Sequence, residues 1–302
     1  MTDAVKNMNE KTIYALGFFD GIHLGHAALL SACRCLAQEQ DCKAGVLTFS
    51  NHPDSLVRGT APGLVSTIEE RDRMLREDFG MDTVVSLPFD RKLMNCPWQD
   101  FFRLLLDSYG AAGFVCGEDF RFGARGEGNG EKLCQAAREA EIPCIVVPKV
   151  TLDGVTVSSS RIRNLVEMGL MADAVKLLGH PYVLRGKVVP GYQLGRRIGF
   201  PTANLMLPKE LAVPRFGVYA CHCYVEGQRY MAVTNIGTRP TVAGIGITVE
   251  VWILDYSGDL YGRELKLELH RFLRPEIRFP NLEALQQAIA QDAQKTRDIL
   301  RR

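Results

Sequence analysis

The chain has no run of eighteen apolar residues, so no membrane-spanning helix is expected. Met1 to Lys11 is polar and lacks the apolar core of a secretory signal. There is no C-x-x-C pair among the nine cysteines. Scattered and odd in number, they read as reduced, mostly buried thiols of a cytoplasmic protein. Charge of either sign is not in excess: 36 Lys and Arg stand against 35 Asp and Glu, a formal net charge of +1. That argues against a coat for polyanions, and hence against a nucleic-acid partner, but leaves small anionic substrates open. No G-x-x-x-x-G-K-[ST] stretch occurs, which excludes a P-loop kinase. No internal repeat and no low-complexity segment is found.

What is present is 302 residues, 46% of them apolar, enough for two domains with separate cores. The first half alternates strand-like and helix-like segments. Ile13 to Phe19, Ala44 to Phe49, Thr83 to Leu87, Gly113 to Cys116 and Cys144 to Val147 read as strands. Between them, 27–38, 68–79, 98–109 and 131–140 carry helical patterns. Repeated βα units with continuous apolar strands predict a Rossmann-like parallel sheet covered on both faces. Gly123 to Gly130 is expected to be a mobile loop. Two short helical stretches, 160–168 and 171–178, end at Gly179-His180-Pro181. Beyond them the pattern changes to strands at 183–189, 218–225, 230–234, 248–254 and 265–272, then a helix at 281–300. This predicts a small antiparallel β-barrel with a terminal helix, and domains of residues 1–181 and 182–302. In the stretch Cys221-His222-Cys223, strand alternation sends His222 to the face opposite both cysteines, a poor geometry for one metal site.

The segment Gly17-Phe18-Phe19-Asp20-Gly21-Ile22-His23-Leu24-Gly25-His26 is the richest in chemistry. It runs from a strand through a glycine-rich turn into a helix. Backbone N–H groups at a helix start lack partners, and the helix dipole favours anions there. Residues at i and i+3 share a helix face, so both imidazoles can meet one ligand. A nucleoside triphosphate is the simplest such ligand. Metal ligation with His52 as a third donor is the alternative, but zinc sites use three or four ligands and nothing else in the sequence converges.

This decapeptide resembles the signature of the HxGH nucleotidyltransferases, in its F-D-G-x-H variant. The resemblance implies that His23 and His26 stabilise phosphate charge during transfer, with Gly17, Phe19, Asp20 and Gly25 lining the nucleotide site. Val157-Ser158-Ser159-Ser160-Arg161-Ile162-Arg163 opens a helical pattern, where serines cap and an arginine can fork onto phosphate. Relatives carry a Ser-Ser-Thr-x-Ile-Arg stretch here that contacts the triphosphate, which implicates Ser159, Ser160 and Arg161. Gly117-Glu118-Asp119-Phe120-Arg121-Phe122-Gly123 can wall a planar ligand or anchor a loop. It is similar to the G-x-D-F-R-F-G of the flavin-nucleotide branch, implicating Asp119, Phe120 and Arg121. Phe49-Ser50-Asn51-His52-Pro53 matches the branch's F-x-x-H-P and implicates His52; many relatives have proline at the position of Asn51.

In the second half, Gly186-Lys187 leads through Gly191, Gly195 and Arg196 to Phe200-Pro201-Thr202-Ala203-Asn204. Glycines along a basic loop can cradle phosphates. In an extended segment Thr202 and Asn204 share a face and offer neutral oxygens suited to magnesium. The stretch resembles the riboflavin kinase signature. Asn235-Ile236-Gly237-Thr238-Arg239-Pro240-Thr241, Glu250 within Thr248 to Ile253, and Phe272-Leu273-Arg274-Pro275-Glu276 also match. The resemblance gives Glu250 the role of general base, Thr202 and Asn204 the metal, and Gly186, Lys187, Gly191, Gly195, Arg196 and Asn235 substrate contacts. Trp252 replaces a residue that is polar in relatives.

Together the motifs resemble the bacterial bifunctional riboflavin kinase and FAD synthetase family. They imply ATP, riboflavin and FMN as substrates, FAD as product, Mg2+ as cofactor, no membrane or nucleic-acid partner, and a monomer or weak homo-oligomer. Two alternatives are an HxGH transferase for another phosphorylated acceptor, such as a pantetheine or nicotinamide phosphate, and a flavin-binding regulator without catalysis.

Overall fold

The computed structural model describes residues 10–190, 195, 199–241 and 244–301. The chain divides into two compact units. One runs through Pro62 and from Ile68 to Ser159; the other holds Gly63–Thr67 and continues from Ser160.

The first unit contains β1 (Thr12–Leu16), α1 (Leu24–Glu39), β2 (Lys43–Phe49), α2 (Asp54–Val57), α3 (Ile68–Glu77), β3 (Thr83–Leu87), α4 (Arg91–Met94), α5 (Trp98–Tyr109), β4 (Ala111–Gly117), β5 (Arg121–Phe122), β6 (Gly128–Asn129), α6 (Gly130–Glu139), β7 (Cys144–Val147), β8 (Thr151–Leu152) and β9 (Val155–Thr156). Five strands form a parallel sheet in the order β3-β2-β1-β4-β7. All of β1 is buried, and alternation splits it between two cores. Ile13 and Ala15 join Leu30, Cys33, Met74 and Leu75 from α1 and α3. Tyr14 and Leu16 join Phe101, Phe102, Leu105 and Leu133 from α5 and α6. Helices on both faces explain why the strands read as unbroken apolar runs.

Three expectations change. β1 stops at Leu16, before the end of its apolar run, because Phe19 takes a left-handed φ of 59° that a strand cannot continue. Helix α1 starts at Leu24 rather than 27, since His23 caps it. Gly123 to Gly130 contains regular structure rather than loop alone: a 3-10 turn at Ala124–Gly126 and strand β6 lead into α6, with Ala124 N–H donating to Cys96 O at 2.7 Å.

The second unit contains α7 (Ser159–Met168, whose first residue closes the other unit), α8 (Met171–Leu178), β10 (Tyr182–Val189), β11 (Ala203–Met206), β12 (Gly217–Val225), β13 (Gln228–Thr241), β14 (Gly244–Ile253), β15 (Glu264–Arg274) and α9 (Leu282–Leu300). The strands close into an antiparallel barrel, β10-β11-β14-β13-β12-β15. Leu184, Leu205, Cys221, Cys223, Val249, Val251, Leu265, Leu267 and Leu269 are among its buried residues. The stretch read only as an extended segment, Ala203–Met206, is the strand that joins β10 to β14 and completes the ring. The unit begins before residue 182. Helix α8 buries Leu177 and Leu178 and packs on β10 and β15, so both short helices lie with the barrel. The terminal helix is capped by Asn281, whose side-chain oxygen accepts from Ala284 N–H at 2.8 Å. It is fastened by Asp292, 2% exposed, which accepts from Arg274 Nε at 2.9 Å and pairs with Arg274 Nη2 at 2.8 Å.

Candidate functional sites

In the first unit, strand order reverses between β1 and β4, the place where parallel sheets bind ligands. The residues after β1 fill that place with strained backbone. Phe19 (φ 59°), Gly21 (φ 76°) and Ile22 (φ 38°) all have positive φ, which for a β-branched isoleucine costs about 1–3 kcal/mol. The strain is held by burial, since Phe19 and Ile22 are both 0% exposed. The turn delivers His23 as N-cap of α1, its Nδ1 accepting from His26 N–H at 3.3 Å. The rings of His23 and His26 stack, 3.7 Å between centroids and 11° between planes. A β-carbon at Gly25 would lie 3.1 Å from the His23 ring, so glycine is what lets that ring fold over the first turn.

This arrangement fixes the chemistry of both rings. Because His23 Nδ1 accepts a hydrogen bond, a neutral His23 carries its proton on Nε2. His26 Nδ1 is buried with no partner among the described residues, so a proton there would be an orphaned donor; it too belongs on Nε2. Burial pulls the His26 pKa well below the ordinary 6.5, with the charges of His23 and Arg71 adding to it. Each neutral ring therefore carries its proton on Nε2, and the stacked pair stands at a helix N-terminus, where the dipole attracts an anion.

Arg71 is the residue that sequence reading missed. It is 1% exposed and ties together the strand ends beneath the turn. Its Nη1 donates to Phe18 O at 3.1 Å and Phe49 O at 3.0 Å, its Nη2 to Ser86 Oγ at 3.3 Å, and Nε and Nη2 grip Asp72 Oδ1 at 2.9 and 2.7 Å. The one sign of it in the sequence is a cation on the stripe shared with Met74 and Leu75.

Two of the predicted residues, Ser159 and His52, meet this turn. Asp20 is buried, and its carbonyl accepts from Ser159 Oγ at 2.9 Å. His52 meets the Phe18 ring edge-on at 4.7 Å, while its Nδ1 accepts from Asp54 N–H at 3.0 Å and so starts α2. Asn51 pairs both ways with the Phe89 backbone, at 2.8 and 3.0 Å, which accounts for its presence in place of proline. Phe120 stacks on Phe122, which is buried in the core, so these aromatics serve at least as anchors. Asp119 is 70% exposed and lies 3.6 Å from Lys149 Nζ. Arg121 is exposed, and its Nη1 donates to the Phe120 carbonyl at 3.3 Å. Ser160 and Arg161 follow Ser159 in the first turn of α7, both exposed.

In the second unit, register does the assembling. Glu250 on β14 faces Asn204 on β11 and Asn235 on β13. Directly paired residues hold their β-carbons about 4.5–5.5 Å apart, so one half-buried carboxylate is flanked by two amides. Val249, Val251 and Ile253 point into the barrel, which leaves Glu250 on the other face with Thr248 and Trp252, as alternation requires. Trp252 packs edge-on against Phe200 at 4.8 Å and so holds the residue before Pro201-Thr202. Asn204 Oδ1 is buried and has no partner among the described residues. A buried neutral oxygen left without a donor beside a carboxylate fits a hard cation. Asn235 Nδ2 donates to Glu276 Oε1 at 3.1 Å, so two matched motifs meet at one carboxylate whose role the sequence did not disclose. Gly186 is buried where a β-carbon would strike the Met206 backbone; Lys187 is exposed. Phe200 N–H donates to Gly195 O at 2.8 Å. Gly191 and Arg196 lie outside the described residues. A cleft of about 630 Å³ opens beside Val188, Pro201, Thr202, Ala203, Val251 and Tyr256.

Comparison with known proteins covers the same two regions. A family model described as FAD synthetase matches residues 5–161, and one described as riboflavin kinase matches residues 178–300. A bifunctional riboflavin kinase/FMN adenylyltransferase of Escherichia coli is 37% identical over 96% of this chain and 93% of its own length. One from Listeria monocytogenes is 32% identical over 98% of this chain and 94% of its own. A solved structure described as a macrolide-efflux protein from Streptococcus pneumoniae is 30% identical, with a TM-score of 0.88 over 96% of this chain and 94% of that one. Among the described residues of the present chain, no helix is long and apolar enough to cross a membrane.

Proposed function

The chain belongs to the family of bifunctional riboflavin kinases/FMN adenylyltransferases and has both activities, and from that premise we propose how its own residues divide the work. ATP, riboflavin and FMN are its substrates. Residues 1–181 carry adenylyl transfer and residues 182–302 the kinase.

In the kinase reaction Glu250 accepts the proton of the ribityl 5′-hydroxyl. The freed oxygen attacks the γ-phosphorus of ATP, and ADP leaves. Asn204 and Asn235 flank Glu250 in the strand register, one on either side. Thr202 and Asn204 would hold Mg2+, with the orphaned Asn204 Oδ1 as the supporting observation. When bound, that ion neutralises phosphate charge. Gly186, Lys187, Gly191, Gly195 and Arg196 are assigned to the phosphate side of the nucleotide by motif.

In the adenylyl transfer a phosphate oxygen of FMN attacks the α-phosphorus of a second ATP, and pyrophosphate leaves. The two Nε2–H groups and the first-turn amides of α1 face the charge that builds on the phosphate oxygens. No covalent enzyme intermediate is required. Arg161 and Ser160 join by motif; Gly17, Phe19, Asp20, His52, Asp119, Phe120, Arg121 and Ser159 shape the nucleotide and flavin side. We also read the protein as cytoplasmic, without nucleic-acid or membrane partners, and as a monomer or weak homo-oligomer; its nine unpaired cysteines suit a reducing compartment.

The carrying observation is Glu250 seated between Asn204 and Asn235 in a chain that also stacks His23 on His26 at a sheet switch point. Purified protein with riboflavin and Mg-ATP, its flavins resolved by chromatography over time, should give FMN first and then FAD. Riboflavin that stays unchanged and co-elutes with the protein would favour a binding regulator. FMN without FAD would favour another acceptor for the first domain.

A further inference from the structure

The outer wall of the barrel holds three side chains that neither reaction uses. Cys221 and Cys223 on β12 are fully buried, so His222 between them points outward. Its register partner on β15 is Glu268, and His270 stands two residues along on the same face. His222 Nδ1 lies 3.0 Å from His270 Nε2, with the ring planes at 90°. One ligand atom from each of His222, Glu268 and His270 lies within 4.8 Å of the others, and all three residues are half-buried.

A tetrahedral ion with metal–nitrogen bonds of about 2.0–2.1 Å spaces two nitrogens about 3.3 Å apart, near the observed separation. The carboxylate is held from outside: Tyr224 hydroxyl donates to Glu268 Oε2 at 3.0 Å, and Lys266 Nζ lies 2.8 Å from Oε1. Each carboxylate oxygen keeps a second lone pair, so these bonds orient Glu268 without exhausting it.

We propose that His222, Glu268 and His270 form a binding site for one divalent transition-metal ion, zinc foremost, with a water completing the shell. Two imidazoles and a carboxylate suit zinc and its neighbours, whereas magnesium takes oxygen ligands. This site is therefore chemically distinct from the kinase's cation site at Thr202 and Asn204. Because its ligands come from adjacent strands, the ion cross-links β12 to β15. The competing arrangement is a plain imidazole–imidazole hydrogen bond.

The test uses the full chain, stripped by chelator, loaded with Zn2+ and desalted, with zinc per chain read by mass spectrometry. Wild type should retain one equivalent that His222→Ala and His270→Ala both lose, while FMN formation measured without zinc stays at the wild-type rate. Loading with Co2+ should give tetrahedral d–d bands without a thiolate charge-transfer band, which separates this site from the cysteines. Zinc should raise the melting temperature of wild type but not of His270→Ala. If an alanine variant fails to fold, Glu268→Gln and His222→Gln take its place in the same measurements. No retained equivalent, zinc retained unchanged in the variants, or a thiolate-dominated cobalt spectrum would each overturn the assignment.

Discussion

His26 is pulled in opposite directions by its surroundings. A bound polyphosphate would favour its imidazolium form, while burial, the helix N-terminus and the charges of His23 and Arg71 oppose it in the free enzyme. Burial is the largest of these, so the ring is neutral well below pH 6.5. The unfolded chain takes up a proton near 6.5 and the folded chain does not. The neutral ring thus contributes stability that is present above pH 6.5 and is lost as pH falls toward the folded pKa. Side-chain nitrogen NMR of the free enzyme should show His26 uncharged at pH 6.5, and His26→Gln should lessen the fall in unfolding free energy below that pH. A ring with a midpoint at 6.5 would contradict the geometry. The two histidines themselves were legible in the sequence, because H-x-G-H at a helix start is contiguous. The cap bond and the resulting tautomers were not, since they follow from φ values at Phe19 and Ile22 that no residue pattern announces.

Among the elements, α3 shows how a pattern can be read correctly and still hide its purpose. Its helical period and charge were plain, yet Arg71 turns inward to hold the carbonyls of Phe18 and Phe49. Arg71 is a positioning residue, since it touches the turn beneath His23 rather than a substrate. Small displacements of reacting groups cost about 10²-fold, so Arg71→Met is expected to slow FAD formation by about that factor, mainly in kcat, with FMN formation unaltered. Arg71→Lys should recover part of the loss, and a wild-type rate of FAD formation in Arg71→Met would remove the residue from the account. At the other end of the chain, α9 was readable from its amphipathic stripe, and Asn281 from its place before it. The pairing of buried Asp292 with Arg274 was not, because only the folded register brings β15 beside that helix. Breaking a buried pair costs about 3–5 kcal/mol; denaturant unfolding of Asp292→Ala should show a loss of that order, and one under about 1 kcal/mol would mean that the pair acts as a surface ion pair.

Across the whole chain, the parallel sheet and the antiparallel barrel were both visible as periodicity, and each candidate site is proposed from a string of short motifs. Periodicity could not supply strand pairing. Asn204, Asn235 and Glu250 come together because β14 lies between β11 and β13. The same limit hid His222, Glu268 and His270, whose residues looked unrelated until β12 and β15 were aligned. Nor could periodicity group the helices by packing: α7 and α8 follow helical patterns like those before them, and only their contacts place them in the compact unit of the barrel.

The central claim is that one chain runs two chemistries on separate residues, an imidazole pair for adenylyl transfer and a carboxylate for phosphorylation. Folded His26→Ala supplied with riboflavin and Mg-ATP tests it most directly, with Glu250→Gln supplied with FMN as its mirror. The account predicts that His26→Ala accumulates FMN and makes no FAD, while Glu250→Gln converts FMN to FAD at the wild-type rate. FAD formed by His26→Ala at the wild-type rate, or loss of both products in either folded variant, would contradict it.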